Sequence, residues 1–181
     1  MKSLSSSRSE PRDPSRRRWL VAGGAGALLL AAGGGAAWLW RPGWRDGQLT
    51  ASGRTVFRAV ARAVLEGSLP PEGPAQEAAL ERHLDRLALT IAGFPAATRA
   101  EIAQLLGILS IAPGRRWLAG LAIDWPQAST VAIDQALRGM RFAEQPLKQQ
   151  AYHALRDLNN AAWYAQPEHW AALGYPGPVA V

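Results

Sequence analysis

The amino-acid pattern predicts an all-α protein, a compact five- or six-helix domain behind an N-terminal signal or anchor segment. Three observations lead there. Beyond residue 45 the apolar residues recur at spacings of three and four, and no stretch alternates at period two. Pro and Gly fall between these stripes, where helices start and stop. Residues 46–181 are also enough chain to enclose one hydrophobic core.

The elements follow in order. Thr50 or Ser52 caps a first helix whose stripe is Val56, Phe57, Val60, Ala61, Val64 and Leu65, with Gly67 placed to end it. After the loop Ser68-Leu69-Pro70-Pro71-Glu72-Gly73, Pro74 suits the first turn of a second helix carrying Leu80, Leu84, Leu87 and Ile91. Gly93-Phe94-Pro95 breaks it. Thr98-x-x-Glu101 reads as a capping box opening a third helix with Ile102, Leu105, Leu106 and Leu109. Ala112-Pro113-Gly114 reads as a turn, and Arg115 to Trp125-Pro126 as a short apolar element. A fourth long helix is expected from about Ala128 to Glu144. The fifth runs from about Leu147 to Tyr164, with Tyr152, Leu155, Leu158 and Ala162 on one face. A last short helix starts at Pro167 and passes through Trp170 to Leu173. No repeat of 20–50 residues is detectable.

The 181 residues carry a formal charge of +6, but its location matters more than its size. Residues 1–45 hold eight basic and two acidic residues, and residues 46–181 hold twelve of each. The helical part is therefore neutral and has no basic field for phosphates, which argues against nucleic acid as a partner. The chain has no cysteine, so disulfides, thiolate nucleophiles, Cys-ligated metals and thioether-linked haem are excluded.

Residues 1–18 are rich in Ser, Pro and Arg and end in Ser15-Arg16-Arg17-Arg18-Trp19-Leu20. An uncharged run, Val21 to Trp40, follows, and Arg41 and Arg45 come after it. A basic region, an apolar region and small residues beyond make an export signal. The pattern resembles the twin-arginine signal, Ser/Thr-Arg-Arg-x-Phe-Leu-Lys. Ser15, Arg16, Arg17 and Leu20 match, while Trp19 replaces Phe and Val21 stands at the Lys position. Twenty helical residues would rise roughly 30 Å, the thickness of a bilayer. The run nevertheless holds six Gly and only five Leu or Val, which is weakly apolar for a stable span. Small residues at Gly34/Ala36 and Gly35/Ala37 allow cleavage, whereas Trp38, Trp40 and Trp44 beside Arg41 and Arg45 suit the interfacial belt of a retained anchor. Either way the N-terminal charge stays cytoplasmic and the domain lies in the periplasm.

Catalytic patterns are few. The histidines are His83, His153 and His169, with no His-x-x-x-His or His-Glu-x-x-His pairing to hold zinc. His153 and Asp157 stand four apart on one helix face, the spacing of an ordinary surface pair. There is no Gly-x-Ser-x-Gly elbow. Gly23-Gly24-Ala25-Gly26 lacks the third glycine and the strand–helix setting of a dinucleotide fingerprint. No catalytic, cofactor-binding or metal-binding residue is assigned, and residues 46–181 are expected to bind no flavin, haem or metal.

The C-terminal stretch is conspicuously aromatic: Trp163-Tyr164-Ala165-Gln166-Pro167-Glu168-His169-Trp170, then Gly174-Tyr175-Pro176-Gly177-Pro178. Trp and Tyr offer large contact area for few lost rotamers, as interface anchors do. Trp163, Trp170, Tyr175, Pro176, Gly177 and Pro178 are the candidates for a partner surface. Core closure is the competing role for Trp163 and Trp170, which lie on expected helices.

Three features together resemble the small subunit of membrane-associated FAD-dependent dehydrogenases, the gluconate 2-dehydrogenase subunit 3 and sorbitol dehydrogenase small-subunit group. They are the arginine-pair leader, the Leu49-Thr50-Ala51 helix start followed by Leu69-Pro70-Pro71, and the tail from Trp163 through Pro167 and Trp170 to Pro178. The likeness spans most of residues 15–178, through short motifs. It implies a partner rather than a reaction. A large flavoprotein of the glucose–methanol–choline type holds the FAD, a cytochrome c subunit often takes the electrons, and the small subunit accompanies the folded flavoprotein through the twin-arginine translocase. A free-standing periplasmic helical protein, binding an apolar ligand or acting through His153, Asp157 or His169, is the alternative.

Overall fold

Thr50 sits at the junction where the folded part begins. In the computed structural model, which describes residues 42–170 and 174–177, its side chain accepts a hydrogen bond from the Gly53 N–H and caps helix α1, Ala51–Val64. The same hydroxyl donates to the Pro42 carbonyl. Ahead of α1 lies a two-stranded hairpin absent from the sequence expectation, β1 (Trp44–Arg45) and β2 (Gln48–Leu49). Its turn, Asp46-Gly47, has φ of 52° and 80°, the two positive angles of the tight hairpin turn that Asp-Gly favours. Trp44 is buried in the core, and not in a membrane-facing belt.

Five more helices follow: α2 (Pro74–Ala92), α3 (Ala96–Ser110), α4 (Ala112–Ala119), α5 (Thr130–Arg141) and α6 (Pro146–Tyr164). Short 3-10 turns lie at Trp125–Gln127 and Pro167–His169. The all-α expectation holds. Helix α1 is the axis: Val56, Phe57, Val60 and Ala61 are fully buried, and α2, α3, α5 and α6 pack around it. Full burial of a side chain such as Phe57 or Val56 stabilises by about 1.5–3 kcal/mol. Its polar side meets α2 through Arg54 on Asp85 and Glu81, and Arg58 on Glu77 and Glu81. Such exposed pairs contribute about 0–1 kcal/mol each, so they orient α2 more than they hold it.

The chain enters this bundle by close contact. The Gly43 N–H bonds the Ala103 carbonyl of α3, and a Cβ on Gly43 would lie 2.1 Å from Leu106 Cβ. A Cβ on Gly53 would lie 2.1 Å from the Gly43 carbonyl oxygen. Only glycine fits either place, so the entry segment is clamped between α1 and α3.

Three boundary expectations are corrected. Helix α3 starts at Ala96 behind Pro95, without a side-chain cap, so Thr98 lies inside the helix and forms no capping box. Ala112-Pro113-Gly114 is the first turn of α4 instead of a break, because Pro113 tolerates that position. The element at Pro167 is a 3-10 turn ending at His169; Leu173 lies outside the described residues. Between α4 and α5, buried Arg115 reaches Asp124 at 2.8 Å, and the buried Trp125 indole donates to the Leu109 carbonyl at 2.8 Å. Among the described residues, no helix is long and apolar enough to cross a membrane.

Candidate functional site

Two regions concentrate the features that the sequence marks out. The first is an aromatic latch where the C-terminal segment folds back on α2 and α6. Trp163 is 3% exposed, its ring stacked on His169 at 3.8 Å and met edge-on by His83 at 5.5 Å. His83 is fully buried and lies 2.9 Å from the Asn159 carbonyl oxygen through Nε2. Asn159 spends its amide N–H on the Leu155 carbonyl, so its oxygen faces His83, and Nε2 of His83 is the donor. That leaves His83 Nδ1 buried without a partner. Burial pushes the His83 imidazole below its ordinary pKa, against the opposing pull of the Asn159 bond. Burial lowers His169 as well, with the nearby Glu168 carboxylate opposing. Arg86 on α2 pairs with Glu168 at 2.9 Å and closes the latch from outside, holding the Glu168 carboxyl below its usual range.

The latch absorbs part of the expected partner surface. Trp163 belongs to the core and presents nothing to a partner. Trp170 is half-buried, its indole donating to the Tyr164 carbonyl at 2.7 Å. Tyr175 is 48% exposed, stands edge-on to Trp170 at 5.3 Å, and donates its backbone N–H to the Trp170 carbonyl. Gly174 and Gly177, with φ of 67° and 100°, bend the chain on either side, and Gly177 packs against the Trp170 ring. Pro176 is exposed. Pro178 lies outside the described residues, as do Ser15, Arg16, Arg17, Trp19 and Leu20.

The second region is a groove of about 500 Å³ between α3 and α6, which both lean on α1 and part from each other. Thr98, Glu101, Ile102 and Leu105 form the α3 wall; Leu147, Ala151, Ala154, Leu158 and Ala161 line the α6 wall, with Phe94 at one end. His153 and Asp157 stand on its exposed rim but do not pair: Asp157 bonds its neighbour Arg156 at 3.1 Å, and His153 meets the Tyr152 ring edge-on. Glu101 opposes them from α3 and has no salt-bridge partner among the described residues. A cleft of this size, apolar within and polar at the rim, can bind an apolar chain.

Sequence reasoning placed His153 and Asp157 on one face, but did not find the groove between them and α3. Leu147, Ala154 and Ala161, apolar positions beside the stripe of Leu155, Leu158 and Ala162 that packs the core, were the available signal. The buried His83–Asn159 pair left no local pattern, its members being 76 positions apart. Among the described residues, no three His, Asp or Glu side chains gather as a metal site. Compared with known proteins, the chain matches no family model, no curated protein and no solved structure.

Proposed function

We propose that this chain is a non-catalytic small subunit of a periplasmic FAD-dependent sugar or alcohol dehydrogenase of the glucose–methanol–choline type, supporting export and stability of the flavoprotein. The observation that carries the reading is an aromatic held on display: Tyr175, half exposed, fixed by a backbone bond and an edge contact to Trp170. A side chain already fixed in place loses little freedom on docking. The leader Ser15-Arg16-Arg17 supports the same reading, because twin-arginine export carries folded proteins and FAD is loaded before crossing. The FAD rides on the partner, and a cytochrome c subunit is the expected electron acceptor.

The test is purification of a tagged full chain from its native host. A large flavin-bearing chain at a fixed ratio supports the reading; a chain that emerges alone from both membrane and soluble fractions overturns it. The leader has its own test. Arg16→Lys with Arg17→Lys is expected to leave the protein in the cytoplasm, and export at the wild-type level removes the twin-arginine assignment. Arg18 offers a shifted pair, so Arg16→Lys alone is expected to leak.

A further inference from the structure

We propose that the groove between α3 and α6 is a seat for this chain's own apolar run, Val21–Trp40, held there by Leu28-Leu29-Leu30. The inference rests on composition and geometry and is independent of the dehydrogenase reading. Phe94, Leu147, Ala154 and Ala161 leave apolar surface open in the groove above the buried Ile102, Leu105 and Leu158, on a domain whose charges are balanced, and the same molecule carries an apolar segment that also needs cover from water.

The point of entry makes the seat reachable. The described chain begins at Pro42, and Gly43 is bonded to Ala103 on α3, the helix that forms one groove wall. Ile102 and Leu105, which face the groove, adjoin the Ala103 and Leu106 positions that meet Gly43. Rounding part of a helix about 10 Å across takes roughly three extended residues. The α6 wall from Leu147 to Ala161 is about 21 Å long at helical rise. Leu30 lies twelve positions before Pro42, a reach of about 18 Å as helix and about 40 Å extended. The leucines can therefore arrive in either conformation.

Charge and size agree. The run is bracketed by Arg16-Arg17-Arg18 on one side and Arg41 on the other, while the groove rim offers Glu101 and Asp157 on opposite walls. The glycines and alanines of the run allow close backbone approach, and Ala151, Ala154 and Ala161 leave the space. Tethering gives the run an effective concentration of about millimolar order, far above that of a free competitor. A seat of this kind covers the run until a membrane or a translocase takes it.

The absence of cysteine makes the test direct, because two introduced thiols report only on each other. Full-length chain with Leu29→Cys and Ala154→Cys, produced without export and oxidised at low concentration, is expected to close an internal disulfide at least tenfold faster than Leu29→Cys with Val131→Cys. Val131 is exposed on α5 and does not line the groove. The rate is expected to be independent of protein concentration. Adding Glu101→Lys and Asp157→Lys, both on the rim, is expected to slow it severalfold with helical content unchanged. Equal rates for the two pairs overturn the proposal. So do links formed only between chains, which would make a second copy the occupant. A co-purified apolar small molecule that fills the groove and blocks the link overturns it as well.

Discussion

The aromatic latch and the α3–α6 groove share helix α6 but spend its two sides differently. On the latch side, Asn159 and Trp163 meet His83, His169 and Leu80 in a closed stack in which Asn159 bonds both His83 and the Leu155 carbonyl. On the groove side, Ala154, Leu158 and Ala161 face Ile102 and Leu105 across open space. The residues that look most like a binding surface in sequence, the tryptophans, are largely used up in holding the chain's own end down. The residues that leave a cavity are alanines and leucines, which attract no notice singly. Trp163 and Trp170 therefore mark stability, while Trp117, Phe142 and Tyr175 stay exposed, and the spacing between two helices marks accessibility.

The largest effect that tests this contrast is Trp163→Ala. Removing a buried indole from between His83 and His169 leaves a cavity, and the cost is expected to be about 3–5 kcal/mol. Urea unfolding measures it. A loss below about 1 kcal/mol would mean that the latch collapses without strain and is not what closes the domain.

Acid is expected to act on the latch as well. His83 and His169 both have folded-state pKa values pushed below the ordinary value, chiefly by burial. The unfolded chain binds more protons than the folded one in that window. Stability is therefore full above the unfolded value of about 6.5 and is lost as pH falls below it toward the depressed folded values. The urea midpoint should drop between pH 7 and pH 5. His83→Leu with Asn159→Leu, which removes one titrating ring together with its partner, should flatten that slope. An unchanged slope would assign the acid sensitivity to His169 or to the surface carboxylates.

What could be read beforehand divides along the same line. The helices of the middle were legible because their stripes are local: Leu80, Leu84, Leu87 and Ile91 repeat every turn, and Pro74 and Pro146 sit where prolines start helices. The hairpin at Trp44–Leu49 was legible in principle from Asp46-Gly47, but Trp44 beside Arg41 and Arg45 also suited an interfacial belt, and only tertiary packing places it in the core. Thr98 and Pro113 misled because each motif fits two positions near a helix start and only tertiary packing chooses between them. The groove was legible only as extra apolar positions on α6, Leu147, Ala154 and Ala161, since its space arises from the way α1 spreads α3 and α6. Likewise, nothing around His83 in sequence announces Asn159, which the antiparallel pairing of α2 and α6 brings to it.

The smallest stability effect is expected at Tyr175, the residue on which the proposed function rests. Tyr175 is half exposed, touches the domain through one ring edge and one backbone bond, and lies between two glycines that set its direction. Truncation keeps the backbone bond, so Tyr175→Ala should change the stability of the free domain by no more than about 0.5 kcal/mol. If the ring is an interface anchor, the same change should weaken capture of the flavoprotein by about 2 kcal/mol, roughly 30-fold. Trp170→Ala is the matched control. Its half-buried indole bonds the Tyr164 carbonyl and supports Gly177, so about 1–3 kcal/mol of stability should go with it. Melting curves and co-purification on the two variants separate the roles. A Tyr175→Ala protein that melts early places that ring in the latch with Trp163. A Trp170→Ala protein that is fully stable yet loses the partner moves the interface one turn toward α6.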